Sequence, residues 1–432
     1  MIPLPSALEM KEADAKEIRA LGGDEFSLME RVSLAISDAM ASEMIPSSVL
    51  VVCGPGNNGG DGLCVARFLL ERGVSAKALR IPSSHYSKSN EKAFQIFPKS
   101  HLVQTLIEAD LYIDALLGAG QKLPLKEEIK KWIPKGKRVW SIDIPTGVDV
   151  DTGEVDKDYA PPEKTFVVQA IKRGMSQCDC GELIVVETGI KIESTQFEVL
   201  SIAAAKPQRK ERGHKYDSGP VGIVAGTMKG AFNFVVDGVK ASGASLIIGL
   251  GEFEAPDEVI MSHEIDQFFA KKLKSLVVGP GLGSKKFDLK NIDIPIVIDA
   301  DGLKQIEGLK FGKKAILTPH RGEAKNLLGR DIKDPFMDTL ELAKEFQAYV
   351  LLKGPGSIIG TPEGRGFVLS KPNPNLSLGG SGDVLAGYIG GLIALGLSPL
   401  EALKRALLDQ SKVPTRPTLV SASEIAEHLR EL

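Results

Sequence analysis

Aspartates placed directly after apolar, β-branched runs are the residues of this sequence best placed to do chemistry. Asp114 follows Tyr112-Ile113, Asp143 follows Ser141-Ile142, and small, turn-forming residues come soon after each. A third acid, Asp383, stands in Gly379-Gly380-Ser381-Gly382-Asp383, just ahead of the apolar stretch Val384-Leu385-Ala386. Carboxylates at such points can exchange protons with a bound hydroxyl or hold a hard cation. Their surroundings suit anions. The run Gly54-Pro55-Gly56-Asn57-Asn58-Gly59-Gly60-Asp61-Gly62 carries five glycines in nine positions. It joins the Val49–Cys53 strand pattern to a helix expected to open at Leu63, so its backbone can approach a ligand and its amides can cradle phosphate. It has neither the GxGxxG spacing nor a Walker lysine, which excludes both ordinary nucleotide labels. A plain βα turn would need fewer glycines, and an acid after a strand can simply cap the next turn. The convergence of several such ends favours a ligand site. Gly380-Ser381-Gly382-Asp383 is read similarly: free amides at a helix start suit a developing phosphoryl charge, and Asp383 can take the acceptor's proton.

The elements that must position these groups alternate. Strand-like runs at Val49–Cys53, Lys77–Ile81, Leu111–Ala115, Val139–Ile144, Lys164–Val168 and Leu183–Val186 are separated in places by helical periods such as Asp61–Glu71 and Glu91–Phe97. Two further helices, Ala7–Ala20 and Ser27–Met40, precede them and are expected to pack on the sheet or on a partner subunit. The pattern lapses near Ile202–Gly213, then resumes at Val221–Ala225, Ser245–Ile248, Ser275–Val278, Ile296–Asp299, Ala315–Thr318, Tyr349–Leu352 and Gly366–Leu369. Such alternation predicts two doubly wound α/β domains, residues 1–205 and 206–432, with ligands beyond the carboxyl ends of parallel strands.

Length and composition agree with an enzyme of small molecules. At 432 residues the chain exceeds one ordinary core. A net charge of −3, spread along the chain, gives no reason to expect nucleic acid or a membrane surface as partner. The short basic cluster at Lys206-Pro207-Gln208-Arg209-Lys210 reads as solvated linker. Four cysteines are too few to staple this length, so a reducing compartment is expected. Cys178-Asp179-Cys180 lacks the further soft ligands that zinc requires, and Cys53 and Cys64 sit among apolar neighbours. The start of the sequence lacks a secretory pattern and no apolar stretch reaches spanning length, so a cytoplasmic protein is expected.

The Asn57–Gly62 run, Asp114-Ala115-Leu116-Leu117-Gly118-Ala119-Gly120 and Asp143-Ile144-Pro145-Thr146-Gly147-Val148-Asp149, in that order, resemble the NAD(P)H-hydrate epimerase family, as does Leu28-Met29-Glu30-Arg31. The resemblance implies a Rossmann-like three-layer sandwich. It implies that Asn57, Asn58, Gly59, Gly60, Asp61, Gly118, Gly120 and Asp143 bind the hydrate. Asn58, Asp114 and Thr146 would hold K⁺, and Asp143 with Lys122 would be the acid–base pair.

Downstream, the Gly-Ser-Gly-Asp signature resembles the ribokinase-like superfamily. Its neighbours are similar to the ADP/ATP-dependent NAD(P)H-hydrate dehydratases: His214-Lys215, Gly279-Pro280-Gly281-Leu282-Gly283, Asp299-Ala300-Asp301-Gly302-Leu303, Thr318-Pro319-His320-Arg321-Gly322-Glu323 and Leu352-Lys353-Gly354. That resemblance implies a ribokinase-like three-layer sandwich. Lys353, Gly354, Pro355, Gly356, Ser357 and Gly382 would line ADP or ATP with Mg²⁺. Ala231, Gly283, His320 and Asp383 would contact the hydrate, with Asp383 catalytic. NADHX and NADPHX are the implied substrates, and a homo-oligomer is expected. The rival reading is a ribokinase-like small-molecule kinase carrying a non-catalytic N-terminal scaffold.

Overall fold

The computed structural model describes residues 2–207, 219–224, 226–251, 255–354, 356–369, 373, 376, 378–414 and 421–432. His214-Lys215, Ala225 and Pro355, singled out above, lie outside the described residues. The chain divides into a unit of Pro3–Phe197 and a unit of Met1–Ile2 with Glu198–Leu432. The division precedes the Ala- and Lys-rich stretch because the Phe197–Val199 strand joins the larger sheet, where the Leu200 amide donates to the Val368 carbonyl at 2.7 Å.

In the N-terminal unit seven strands pair in the order Leu102–Val103, Ala76–Arg80, Val49–Cys53, Leu111–Ala115, Val139–Ile142, Lys164–Val168, Glu182–Val186, all parallel. Val49–Cys53 is buried throughout, as expected of a central strand covered on both faces. Its side chains alternate: Val49, Val51 and Cys53 join the core under the helices Glu25–Ala41 and Asn57–Glu71, while Leu50 and Val52 face Ile129, Trp132 and Ile133. The order steps outward in both directions from Val49–Cys53, so the strand ends at Cys53 and Ala115 flank the crevice where a doubly wound sheet takes its ligand.

The glycine run departs from expectation. The helix begins at Asn57, not Leu63, with Gly56 as its N-cap, so most of the run is helix. The glycines are there for close approach. A Cβ on Gly59 would lie 1.8 Å from the Gly54 carbonyl oxygen, one on Gly60 2.6 Å from Met29, and one on Gly62 2.5 Å from the Ala115 side chain. Glycine weakens a helix, but here it lets the helix lie against the sheet and the preceding turn.

The larger unit is built on an 11-stranded sheet. Six consecutive neighbours from Tyr349–Leu352 through Ala315–Leu317, Ile296–Ile298, Ser275–Val278, Pro220–Val224 and Leu246–Leu250 are parallel, as is the edge strand Val259–Ser262. Ile358–Gly360 and Gly366–Val368 continue it antiparallel, and both Ile358–Gly360 and Val259–Ser262 escaped the sequence reading. Helices Lys229–Ser242, Ser381–Ala394, Pro399–Ser411 and Ala422–Glu431 bury one face through Val235, Val239, Tyr388, Leu392, Leu403 and Ile425. The Pro335–Phe346 helix covers the other, where a Cβ on Gly360 would stand 2.9 Å from Thr339. The Ser381–Ala394 helix is almost wholly buried, so its apolar run is core and its first turn is held in place. Among the described residues no helix is long and apolar enough to cross a membrane.

Candidate functional site

Each unit gathers its chemistry at the carboxyl ends of its strands. In the N-terminal unit Asp114, the fourth residue of its strand, is buried and fully engaged. Its carboxylate accepts from the Thr146 hydroxyl at 2.7 Å, the Thr146 amide at 2.8 Å and the Leu116 amide at 3.1 Å. Burial pushes its carboxyl above the usual range, against these hydrogen bonds. Buried Asn58 donates to the Leu117 carbonyl at 2.9 Å, the Leu117 amide donates to the Thr146 hydroxyl at 3.2 Å, and a Cβ on Gly118 would meet Asn58 at 3.1 Å. Asn58, Asp114, Thr146 and Gly118 are thus brought together. Their donor set of carboxylate, hydroxyl and amide oxygens fits a hard cation. Gly120 is exposed next to Gln121, which bonds the Pro145 carbonyl and the Gly147 amide. Asn57 is exposed and donates to Glu25, and the buried Gly59 and Gly60 fill packing space.

Asp143 follows its strand in the left-handed region, with φ 63°. Its partner is Lys172, whose ammonium donates to the Asp143 carboxylate and, at 2.9 Å, to the Val168 carbonyl. The expected partner, Lys122, is exposed and makes no hydrogen bond or ion pair among the described residues. The sequence reading missed Lys172. The only signal in the sequence is a lysine four residues beyond an apolar strand run; that this strand lies beside the one ending at Ile142 is a property of the fold. Two more carboxyls feel the Asp143 charge. Asp61 is pushed well above the usual carboxylate range, chiefly by burial and then by Asp143, and Ser33 donates to it at 3.3 Å. Asp14, on the first helix, is pushed up to about 6 by burial and by Asp143, while Lys172 pulls it back. Asp14 has no counterpart in the motifs, because a carboxylate on a helix preceding the sheet carries no local pattern.

In the larger unit Asp299 directly follows the Ile296–Ile298 strand, and Lys353 directly follows Tyr349–Leu352. They form an ion pair at 2.5 Å. A Cβ on Gly382 would lie 3.2 Å from the Lys353 nitrogen and 3.7 Å from Asp299, so the helix start passes directly over this pair. That helix has Gly380 as N-cap, with φ 86° and no side-chain cap; the Ser381 amide turns back to the Leu378 carbonyl at 3.1 Å, which leaves the Gly382 and Asp383 amides to an anion. Asp383, in the first turn, is pushed up to about 6 by burial and by the Asp299 charge, with Lys353 pulling down. Ser381 serves structure: its hydroxyl donates to the Leu376 and Leu378 carbonyls, each at 2.7 Å.

His320 sits beside Lys353, whose amide donates to the Pro319 carbonyl at 2.8 Å. Its Nδ1 accepts from the Gly322 amide at 2.9 Å and its own amide donates to Glu323 at 2.8 Å, so it caps the Arg321–Leu328 helix. With Nδ1 accepting, the ring's N–H falls on Nε2, which faces Glu323 Oε1 at 3.5 Å on a side chain 60% exposed. Gly283 donates to Asp301 at 2.8 Å, and the same loop approaches Ala231 closely enough that a Cβ on Gly281 would be 2.9 Å away. A Cβ on Gly279 would meet the Asp299 carbonyl oxygen at 1.7 Å, tying the loop to the ion pair. Ser357 closes a turn onto the Gly354 carbonyl at 3.1 Å, and Gly356 lies within that turn. Among the described residues no group of three or more His, Cys, Asp or Glu side chains forms a metal-holding cluster.

Fold and sites together define an α/β enzyme of two units, each built on a mainly parallel sheet with an aspartate–lysine pair at its strand ends. Residues 25–174 match the family described as YjeF-related protein N-terminus, and residues 221–412 match NAD(P)H-hydrate dehydratase. The bifunctional NAD(P)H-hydrate repair enzyme Nnr of Coxiella burnetii is 30% identical over 467 residues, covering 95% of this chain and 95% of that one. Its namesake in Mycobacterium tuberculosis is 31% identical over 412 residues, covering 87% and 86%. An ADP/ATP-dependent NAD(P)H-hydrate dehydratase from Bacillus subtilis, co-crystallised with ATP and Mg²⁺, matches with 24% identity and a TM-score of 0.43 over 52% of this chain and 92% of that one. The chain belongs to the family of bifunctional NAD(P)H-hydrate repair enzymes. A small-molecule kinase with a non-catalytic scaffold is not favoured, since both units match parts of that family.

Proposed function

We propose that this chain restores hydrated NADH and NADPH. The N-terminal unit interconverts the S and R hydrates. The larger unit phosphorylates the S hydrate's hydroxyl from ADP or ATP and expels phosphate, leaving NAD(P)H with AMP or ADP. One arrangement carries the reading: in both units an aspartate just past a parallel strand is paired with a lysine beyond the end of another strand of the same sheet, the adjacent strand in the N-terminal unit and the next but one in the larger unit.

Epimerisation requires the ring hydroxyl to depart with a proton and water to return on the other face. Asp143 is the base in this reading, oriented by Lys172, and the carboxyls of Asp61 and Asp14 stand nearby with their protons held more tightly than usual by burial and by the Asp143 charge. Asn58, Asp114 and Thr146 would hold K⁺, which supplies positive charge beside the substrate's phosphates. In the larger unit Lys353 and the uncapped amides at Gly382 and Asp383 face the nucleotide's phosphates, with Gly354, Gly356 and Ser357 in the adjoining turn. Mg²⁺ would arrive with those phosphates and neutralise their charge. Asp383 accepts the hydroxyl proton, and Ala231, Gly283 and His320 border the hydrate. The test is to incubate the full chain with mixed hydrates, ADP and Mg²⁺ and follow reduced-nicotinamide absorbance. Recovery of the whole pool is expected. Recovery of one epimer alone would remove the N-terminal assignment, and accumulation of a stable phosphorylated hydrate would remove the other.

A further inference from the structure

Cys178 and Cys180 play no part in the proposed chemistry, yet their sulfurs are 3.4 Å apart and share an S–H hydrogen bond. Both are free thiols, Cys178 partly exposed and Cys180 only 3% exposed. Two residues apart, their Cα atoms cannot be separated by more than roughly 7 Å, within disulfide reach. Cys53 and Cys64, by contrast, are both sealed in the core.

The two ends of the segment are held differently. The Cys180 carbonyl accepts from the buried Thr165 hydroxyl at 2.7 Å, and the next residue, Gly181, has φ 68° with the Pro162 carbonyl oxygen 2.3 Å from its Cβ position. Cys180 is therefore anchored. Cys178 lies in a bend after the Arg173–Ser176 turn, its sulfur 3.8 Å from the Gly174 carbonyl oxygen. Lys172, the partner of Asp143, is the N-cap of that same turn. Closing the sulfurs from 3.4 Å to a bond of about 2.05 Å must move the Cys178 side. The turn cannot absorb this freely, because the Gly174 amide donates to Val150 at 2.8 Å and Gly174 packs against Gly153 with no room for a side chain.

We propose that Cys178 and Cys180 are a redox-active dithiol, which closes to an internal disulfide by exchange with a small-molecule disulfide and thereby displaces the turn that carries Lys172. The Cys178 thiolate attacks the small disulfide, forming a mixed disulfide and releasing one thiolate, which takes up the Cys178 proton. Cys180 then attacks the Cys178 sulfur and expels the second thiolate, which takes up the Cys180 proton. Two protein thiols are oxidised, one small disulfide is reduced to two thiols, and a reducing environment reverses both steps. Cys178 reacts first because it is accessible, while the hydrogen bond to Cys178 and then burial hold the Cys180 thiol well above its ordinary range. The effect on activity rests on the reading of the N-terminal unit as an epimerase.

The experiment treats the reduced full chain with oxidised glutathione. Thiols are counted after denaturation, the linked peptide is mapped, and both activities are measured on the same sample. Two of the four thiols should disappear into a Cys178–Cys180 link. Epimerisation should fall roughly threefold or more and return with dithiothreitol, while dehydration stays constant. Cys180→Ser should stop at a glutathione adduct on Cys178, and Cys178→Ser should gain no adduct. Four surviving thiols, or a native chain that stops at the adduct, would overturn the dithiol. A complete link with unchanged epimerisation would overturn the coupling to Lys172. Absence of epimerisation in the reduced chain would instead refute the functional reading, while the thiol count would still decide the disulfide.

Discussion

The two aspartate–lysine pairs are built from the same parts and face opposite ways. In the N-terminal unit the lysine is the sealed partner: the Lys172 side chain is 1% exposed and Asp143 19%. In the larger unit the carboxylate is sealed: Asp299 is 2% exposed and Lys353 20%. An ion pair screens its own charge, so the half left accessible decides what the site offers a ligand. One unit presents a carboxylate, suited to taking a proton from a hydrated ring. The other presents an ammonium group, suited to phosphate. A second carboxyl sits near each pair with its proton held above the usual range, Asp61 in one and Asp383 in the other.

The strongest way to break the comparison is to remove the acids one unit at a time. Asp383→Asn should lower hydrate-dependent phosphate release by about 10³-fold and leave epimer interconversion, followed by chromatography, unchanged. A parallel loss of both activities would mean that the units do not act separately. Next in size is Lys172→Met, expected to slow epimerisation by about 10²-fold, because Asp143 then loses the group that orients it and keeps its charge compensated. Lys122→Ala should change the same rate by less than about twofold. If the two lysine variants exchanged these effects, the pairing seen here would not be the working one.

The glycines sharpen the contrast at the level of stability. A methyl group on Gly59 meets backbone at 1.8 Å, whereas one on Gly382 meets the end of a lysine side chain at 3.2 Å. Gly59→Ala should therefore destabilise the N-terminal unit by about 3 kcal/mol, and Gly382→Ala should cost under about 1 kcal/mol. Both tryptophans, Trp132 and Trp140, lie in the N-terminal unit, so their fluorescence during urea unfolding reports the first variant directly. One further effect is graded with pH. Asp383 must be ionised to act and keeps its proton up to about 6, so kcat/KM for dehydration should fall as pH drops through about 6, approaching tenfold per unit. The stability linkage has the opposite sense. Between the ordinary 3.8 and about 6 the folded chain holds more protons on Asp383 than the unfolded chain, so this group's contribution to stability declines as pH rises through that window.

Much of this architecture is legible in the sequence. Apolar strand runs ending in Asp114, Asp143 and Asp299 carry their own signal, because a buried parallel strand must be apolar and its exit must turn. The short edge and antiparallel strands, such as Leu102–Val103 and Ile358–Gly360, have too few residues to show a period. The glycine run was misread for a physical reason. Glycine lowers helix propensity, but contacts between Gly60 and Met29 and between Gly62 and Ala115 decide the conformation, and those partners are not local in sequence. Lys172 was missed on similar grounds. Its importance comes from the neighbouring strand that delivers it to Asp143 and from burial, neither of which spacing along one chain reveals.

The orientation of the pairs is tested most directly by steady-state kinetics of Lys353→Met, with both activities assayed on the same folded preparation. If Lys353 is the face offered to phosphate, the KM for ADP or ATP should rise by about tenfold or more, while epimerisation keeps its wild-type rate. An unchanged nucleotide KM, with the loss appearing only in kcat, would contradict the assignment of the exposed ammonium group to nucleotide binding.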